Sequence, residues 1–418
     1  MSSTPASSAG AHDPPPLAIA LAGAIALAVA MGIGRFAFTP LLPMMLADGA
    51  VDLHQASWLA SANYLGYLAG ALLCTVQPWI WARLGRRKPI DGPAMVRVGL
   101  AATVLLTFAM AAPLPAAWPA LRFAAGVASA LVFVYSSGWC LTQLARLGVG
   151  PLGGAIYTGP GIGIVLTGLM VSGMVALRWH AGDGWLTFGG LGLVLSAAVW
   201  RTFRSGPAAA PAGATKAGGG TPQDGPEPVH GRTEIGGLAL AYGLAGFGYI
   251  VTATFLPVIA RSALPGSAWL DLFWPIFGVG VFSGALLSTR LRLGGDLRRF
   301  LALAFAVQAL GIATSLWSPT LAGFAIGSLL LGLPFTAITY FAMQEVRRIR
   351  PAHPASLMGL LTAVYGLGQI VGPPMTARLL HGAASQSAGF ALALEIAAGA
   401  LLLGCAMFTL LAKAFPKA

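Results

Sequence analysis

The chain has 418 residues, of which 57% are hydrophobic and only 9% are charged. In soluble domains about a quarter of all residues are charged, so this composition excludes an ordinary soluble protein. The formal net charge of +12 raises the question of a nucleic-acid partner. The distribution of the basic residues along the chain answers that question.

Apolar segments of about 20 residues, long enough to cross ~30 Å of hydrocarbon, recur from one end of the chain to the other. Twelve are predicted, at residues 17–46, 56–82, 93–112, 116–144, 149–175, 184–203, 234–262, 268–290, 297–316, 319–348, 354–381 and 388–413. The sequence therefore predicts an all-α membrane protein with twelve transmembrane helices in the lipid bilayer.

A stretch rich in proline, glycine and alanine, residues 204–233, separates the sixth segment from the seventh. Such a composition is typical of a flexible linker. We therefore expect an N-terminal six-helix bundle at 17–203 and a C-terminal six-helix bundle at 234–413. The tails at 1–16 and 414–418 are expected to be cytoplasmic, and the first of them disordered.

The basic residues concentrate in alternate loops. With the N-terminus placed inside, 18 of the 24 lysines and arginines fall in cytoplasmic segments, and the outer loops hold only Arg178, Arg261 and Arg378. This pattern satisfies the positive-inside rule, so both termini are expected in the cytoplasm. The basic excess reflects topology, and no nucleic acid is expected as a partner.

Arginine outnumbers lysine 20 to 4, which is compatible with a GC-rich bacterial source and the inner membrane.

The residue patterns of catalysis, metal binding and ATP hydrolysis are missing from the sequence. Cys74, Cys140 and Cys405 lie far apart in apolar segments, and the histidines lack ligand spacing, so no metal site is expected. No GxxxxGK[ST] loop is found. We expect neither an enzyme nor a cofactor, but a monomeric membrane protein that transports a small molecule. A membrane sensor that binds a ligand without moving it is the alternative.

The two halves repeat each other. In the first segment Gly32, Gly34, Leu42 and Pro43 are matched in the seventh by Gly246, Gly248, Leu256 and Pro257, all displaced by 214. Gly161 and Gly163 are matched by Gly366 and Gly368, displaced by 205. Repeated halves of the same orientation are typical of transporters that bind a substrate between the halves.

Three stretches carry a family resemblance: GIGRFAFTPLLPMM at 32–45, YGLAGFGYIVTATFLP at 242–257 and YGLGQIVGPP at 365–374. They resemble the YbfB/YjiJ-like branch of the major facilitator superfamily. The resemblance implies the major facilitator fold, twelve helices in two pseudo-symmetric six-helix bundles around a central cavity. It also implies secondary transport by alternating access, and it implies no particular substrate.

Further superfamily signatures lie in the N-terminal half. WARLGRRKP at 81–89 looks like the basic loop after the second helix, although the usual acidic residue is Ala82 here. YTGPGIGI at 157–164 is similar to the helix 5 motif of antiporters, although its usual final glycine is Ile164. The resemblance implies a gating or conformational role for Gly85, Arg86, Arg87, Lys88, Gly159, Pro160 and Gly163.

Arg35 is the one charge in the apolar run from Leu17 to Leu46. A charge at bilayer depth costs at least ~3 kcal/mol on insertion scales, so it indicates a function or a buried partner. Helical spacing places it on one face of its helix with Ala28, Gly32 and Thr39, and the repeat places Tyr249 at the equivalent position.

Arg122 lies in the fourth segment, with Gly126, Ser129 and Phe133 at similar helical spacing. We interpret both arginines as positive charges in a wet cavity, because a guanidinium suits a carboxylate or a phosphate. The alternative is that each arginine holds neighbouring helices together through carbonyls or an acid. The favoured substrate class is therefore organic anions. A proton-coupled multidrug-type exporter of amphipathic compounds is the competing interpretation.

Other polar side chains fall where a cavity could use them. The candidates for substrate binding beside the two arginines are Thr39, Asn63, Tyr64, Tyr157, Tyr249, Tyr340, Gln344, Tyr365 and Gln369. For each of them the alternative is interhelical packing with one satisfied hydrogen bond. Glu395 is the only acid predicted well within an apolar segment, which makes it the candidate for proton coupling. Glu345 precedes Arg347 and Arg348 and is expected to form an ion pair at the cytoplasmic end of its segment.

Overall fold

The computed structural model describes residues 14–85, 91–204, 231–267, 269–290, 295–350 and 354–416. The predicted gating residues Arg86, Arg87 and Lys88 and nearly all of the predicted linker lie outside these ranges. Within them, every regular element is a helix.

The α-helices are α1 Pro16–Leu27, α2 Phe38–Ala47, α3 Leu53–Arg83, α4 Gly92–Ala109, α5 Trp118–Arg146, α6 Gly159–Ala176, α7 Ala181–Trp200, α8 Arg232–Ala263, α9 Phe273–Arg290, α10 Leu297–Trp317, α11 Leu321–Gly332, α12 Phe335–Ile349, α13 Pro354–Gly382 and α14 Gln386–Ala414. A π-helical segment, Ala28–Ile33, follows α1, and 3-10 segments Gly150–Thr158 and Leu270–Leu272 precede α6 and α9.

These helices form twelve spans that run alternately up and down. Eleven helical segments in the described ranges are long and apolar enough to cross a bilayer, and α13 supplies a twelfth with 29 residues. The first span combines α1, the π-helical segment and α2, and the tenth combines α11 and α12. Both Pro16 and Ala414 lie at one end of the bundle, which we call the terminal end. The twelve-helix fold predicted from the sequence is confirmed.

Four of the five exposed tryptophans in the described ranges lie toward the opposite end, and Trp200, 38% exposed, lies at the terminal end. Trp58, Trp179, Trp269 and Trp317 are 54%, 42%, 62% and 80% exposed, and each lies beside a turn at the opposite end. Amphipathic indole rings concentrate at the level of lipid headgroups. They indicate where this end of the bundle meets the membrane surface.

The repeated glycines are sites where helices cross. A Cβ atom on Gly161 would lie 2.5 Å from the backbone nitrogen of Phe282, and one on Gly366 would lie 3.2 Å from Leu68 Cδ1. The two glycines are displaced by 205 and their partners by 214. The two contacts are therefore equivalent under the repeat. The crossing of α6 with α9 in one contact corresponds to the crossing of α13 with α3 in the other. Small residues permit this close approach of backbones.

Candidate functional site

The first span is interrupted next to Arg35. The backbone N–H groups of Gly34 and Phe36 donate to carbonyls five residues back, both at 2.9 Å, and residues 34–37 form a turn before α2 begins. Pro40 has no N–H to donate and two glycines precede it, so the local sequence weakens a regular helix here. The interruption leaves backbone carbonyls that other groups must satisfy.

Arg122 satisfies two of these carbonyls. Its Nη1 donates to Gly34 O at 3.3 Å and its Nη2 to Arg35 O at 3.1 Å, while its guanidinium lies 4.9 Å from the ring centre of Phe38. Asn63 Nδ2 in turn donates to Arg122 O at 2.9 Å. Arg122 is only 2% exposed. This geometry favours the interpretation that Arg122 holds neighbouring helices together through carbonyls over the interpretation that it is a charge in a wet cavity.

Unlike Arg122, whose hydrogen bonds stay within the N-terminal half, Arg35 points into the junction between the two halves. Its Nη2 donates to Gln369 Oε1 on α13 at 2.8 Å. Its guanidinium carbon lies 5.1 and 4.4 Å from the ring centres of Tyr64 and Tyr67. Gln369 Nε2 donates to the hydroxyl of Tyr249 on α8. Arg35 is 3% exposed, and among the described residues no carboxylate lies within ion-pair distance of it.

Two of the predicted cavity residues add hydrogen bonds between the halves. Thr39 Oγ1 donates to Ala253 O at 2.8 Å, and the hydroxyls of Tyr64 and Thr254 are 2.9 Å apart. Thr39 and Ala253 are separated by 214 residues, which is the displacement of the repeat. A contact between two equivalent residues lies on the pseudo-twofold axis, so the group around Arg35 is central to the whole bundle.

The junction is closed toward the opposite end. There α2 packs against α8, whose residues from Ile250 to Ala260 are all buried. Across the junction on the terminal side, α5 and α12 share no comparable packing within the described ranges. Tyr67 and Tyr157 are partly exposed on that side, and Tyr340 is 40% exposed. Arg35 and Gln369 are each only 3% exposed, so the centre itself is buried in this conformation.

The structure brings only part of the predicted set together. Tyr365 stacks on Tyr249 with ring centres 6.0 Å apart, so it joins the group around Arg35. Tyr157 lies 6.1 Å from Phe133 and is farther toward the terminal end. Tyr340 contacts the ring of Phe341. No described contact links Tyr340 or Gln344 to Arg35. Glu395 is exposed on α14, away from the junction.

Gly32, Gly126 and Ser129, which share the helical spacing of the two arginines, pack against neighbouring helices. A Cβ atom on Gly32 would lie 2.5 Å from Gly163 Cα, and one on Gly126 would lie 2.1 Å from Asn63 O. Ser129 Oγ donates to Ala30 O at 2.7 Å. These positions face neighbouring helices of the same half, whereas Thr39, at the same spacing as Arg35, reaches the other half. The interruption at 34–37 turns Arg35 away from the direction that regular spacing gives Gly32.

The described gating candidates lie in ordinary packing positions. Gly163 crosses the first span at Gly32, and a Cβ atom on Gly159 would lie 2.1 Å from Ala24 O. Pro160 occupies the first turn of α6, where its missing N–H is not needed. Gly85 follows α3 with φ +67°. A gating role for these residues stays a prediction.

Sequence reasoning missed a buried ion-pair cluster at the terminal end of the second half. Arg298, at the edge of the predicted segment 297–316, is 1% exposed. It donates to Glu234 Oε1 at 3.0 Å and to Asp296 Oδ2 at 2.7 Å. Glu345 lies 3.6 Å from Arg298 and 2.6 Å from Arg348, which confirms the expected pairing at the end of this span. The cluster joins the terminal ends of α8, α10 and α12.

We expect Arg298→Met to lower the free energy of unfolding by about 3–5 kcal/mol, because removing one partner leaves buried carboxylates uncompensated. The neighbouring Arg299 is exposed, so Arg299→Met is a matched control with an expected change of about 0.5 kcal/mol or less. Thermal unfolding of both variants in detergent checks this. Equal melting temperatures for the two variants would contradict it.

At the opposite end, Asp48 joins the first span to the sixth. Asp48 Oδ2 accepts from Ala181 N at the start of α7 at 2.7 Å, and Asp48 Oδ1 lies 2.9 Å from His180 Nδ1. This hydrogen bond raises the pKa of His180 above its usual value of 6.5. Asp183 contributes in the same direction.

Because the pKa is raised in the folded state, the stabilisation is complete below pH 6.5 and is lost as pH rises through the raised pKa. We therefore expect the melting temperature of the protein to exceed that of His180→Gln at low pH, with the difference shrinking at higher pH. Melting curves of both proteins between about pH 5 and 9 measure it. A pH-independent difference would rule out this titration.

Comparisons with known proteins agree with this architecture. Residues 27–409 match the family described as "Uncharacterised MFS-type transporter YbfB". Two crystal structures of the nucleoside transporter NupG are similar in fold, one of them of a point mutant. The mutant structure has a TM-score of 0.72 at 15% identity, covering 94% of this chain and 99% of that one. The other has a TM-score of 0.68 at 14% identity, covering 95% and 99%.

No curated protein sequence matches the chain significantly. The family match spans nearly the whole chain, and the fold, the twelve spans and the central junction are all those of a transporter rather than an enzyme. The chain therefore belongs to the YbfB-type family of the major facilitator superfamily and is a multi-pass membrane transporter.

Proposed function

We propose that this transporter moves a small organic anion across the membrane by alternating access, and that Arg35 binds the carboxylate of the anion. The observation that carries the proposal is the buried guanidinium of Arg35, whose side-chain hydrogen bond goes to a neutral amide. A buried cation without an anionic partner is costly. A carboxylate that enters from the terminal end would supply that partner.

The geometry supports a specific mode of binding. Arg35 Nε has no hydrogen-bond partner among the described residues. A carboxylate that takes Nε and one Nη in a bidentate pair is the favoured geometry for an arginine. If it displaced the amide of Gln369, it would release a hydrogen bond that joins the two halves. Binding would then bias the junction between its two conformations.

The same proposal includes an orientation. The terminal end carries most of the basic residues. By the positive-inside rule we place the terminal end in the cytoplasm and the protein in the bacterial inner membrane. The packing of α2 against α8 then closes the junction on the side away from the cytoplasm. Transport is secondary, and the coupling ion is not assigned, since Glu395 is exposed on α14.

A neutral nucleoside is the second candidate. The two similar structures are nucleoside transporters by name. Gln369 and the tyrosines of the junction offer hydrogen-bonding groups and ring faces. At about 15% identity this likeness concerns the fold, so the nature of the substrate rests on the charge of Arg35. An exporter of amphipathic compounds is the third candidate.

Ligand-induced thermal stabilisation of the purified protein tests the proposal. The panel contains acetate, succinate and benzoate as anions, uridine and adenosine as nucleosides, and tetraphenylphosphonium as a lipophilic cation. A ligand at a hundred times its Kd stabilises the folded state by about 2.7 kcal/mol. We expect stabilisation by at least one carboxylate. Stabilisation only by nucleosides or only by the lipophilic cation would overturn the proposal.

A further inference from the structure

We infer that the anion is an aromatic carboxylate, whose ring lies between two rows of aromatic side chains on the terminal side of Arg35. The inference rests on the proposed function, since Arg35 must first bind the carboxylate. Beyond the carboxylate, it specifies that the remainder of the substrate contains an aromatic ring. Each row begins beside Arg35 or Gln369 and continues toward the terminal end.

The first row belongs to the N-terminal half. The ring centre of Tyr67 lies 4.4 Å from the Arg35 guanidinium, Phe133 lies 6.5 Å from Tyr67, and Tyr157 lies 6.1 Å from Phe133. All three rings are partly exposed. They come from α3, α5 and the 3-10 segment before α6, so three separate elements present aromatic rings in sequence along one wall.

The second row belongs to the C-terminal half. Tyr249, the partner of Gln369, stacks on Tyr365 with ring centres 6.0 Å apart and an interplanar angle of 23°. Tyr365 stacks on Tyr242 at 4.8 Å and 29°. Tyr365 is partly exposed, whereas Tyr242 and Tyr249 are buried behind it. The wall therefore presents the ring of Tyr365, held in place from both sides.

The hydroxyl groups of the buried tyrosines at the junction are engaged within the protein. Tyr64 pairs with Thr254, Tyr242 donates to Thr339 Oγ1 at 3.2 Å, and Tyr249 accepts from Gln369. The partly exposed rings, Tyr67, Phe133, Tyr157 and Tyr365, offer their faces to a ligand. Such ring faces favour a planar apolar group as the part of the ligand that contacts them. Aromatic pairs gain free energy beyond the area that they bury.

A matched pair of ligands isolates this contribution. Benzoate and cyclohexanecarboxylate carry the same charge and a six-membered ring, but only benzoate has a π-face. Competition binding to the purified protein measures both affinities. Since an aromatic pair contributes about 0.5–1.5 kcal/mol, we expect benzoate to bind about three- to tenfold more tightly. Tyr67→Leu and Phe133→Leu should remove this preference, and Tyr67→Phe should keep it.

Each outcome bears on a different claim. If both carboxylates bind with equal affinity and Arg35→Ala weakens both, the aromatic inference is overturned while anion binding stands. If neither of them binds while acetate or succinate does, the aromatic inference alone is overturned; if no carboxylate binds, the proposed function fails and the inference fails with it. If cyclohexanecarboxylate binds more tightly, or if Tyr67→Leu and Phe133→Leu keep the preference for benzoate while their melting temperatures are unchanged, the two rows do not contact the ligand.

Discussion

Replacing Arg35 by alanine is expected to weaken carboxylate binding by about a hundredfold. A hydrogen bond to a charged group contributes about 1.5–3 kcal/mol, and the upper value corresponds to this factor. Arg35→Lys is expected to recover little, because an ammonium group does not reproduce the planar bidentate fork. Isothermal titration of benzoate into the three proteins measures the effect.

The folded state should tolerate the loss of Arg35 better than the loss of Arg122. Arg35 has one hydrogen bond to a neutral amide, and its removal takes a costly charge out of the junction. Gln369→Leu serves as the matched control, since it removes the other end of the same hydrogen bond and keeps the charge. We expect Gln369→Leu to retain carboxylate binding. If it abolished binding as completely as Arg35→Ala, the contact rather than the charge would be essential.

Replacing Arg122 by alanine is expected to lower the free energy of unfolding by about 3 kcal/mol or more. The change leaves the carbonyls of Gly34 and Arg35 without these donors and removes a buried side chain from the ring of Phe38. A buried polar group that loses its partner costs about 1–3 kcal/mol, and two carbonyls are affected. Thermal unfolding in detergent checks this expectation.

The substitutions of the two arginines are thus expected to change different quantities, ligand binding for Arg35 and thermal stability for Arg122. Arg35→Ala should lose ligand binding at a nearly unchanged melting temperature, whereas Arg122→Ala should lower the melting temperature of the ligand-free protein. Arg122→Lys, which keeps a donor near the interruption, should restore part of the stability. The assignment of Arg122 would be refuted by a variant that melts normally but no longer binds carboxylates.

Much of the fold follows from the sequence because it depends on local composition. Each apolar segment is long enough to cross the bilayer by itself, so the twelve spans could be counted before any contact was known. The glycine repeat also has a direct physical meaning, since a Cβ on Gly161 would clash with the backbone of a crossing helix and one on Gly366 would be tight against Leu68. Such signals concern one helix or one crossing, and the sequence displays them directly.

The pairing at the centre could not be read in the same way. Arg35 and Gln369 are 334 residues apart, and each was a candidate only because it is polar in an apolar run. The interruption of the first span depends on donors from α5, above all Arg122. A helical pattern assumed to be regular therefore placed Gly32 and Arg35 on one cavity face, when only Arg35 reaches the junction.

The ion-pair cluster was missed for a related reason. Arg298 and Glu234 lie at the predicted edges of apolar segments, where charged residues usually meet water. Their burial results from the way four helices meet at the terminal end. Besides its acidic partners, Arg298 donates to the carbonyls of Leu411 and Phe415, at 3.1 and 2.5 Å. One-dimensional hydropathy contains no information about such a meeting of chain ends.

Solute counterflow in proteoliposomes tests the central claim most directly. Vesicles loaded with unlabelled benzoate and diluted into trace radiolabelled benzoate report exchange through the protein without any assumption about the coupling ion. We predict transient accumulation of label with the unmodified protein and none with Arg35→Ala reconstituted at equal density. Accumulation at the same rate in both would contradict the role of Arg35, because the anion would then cross without the charge at the junction.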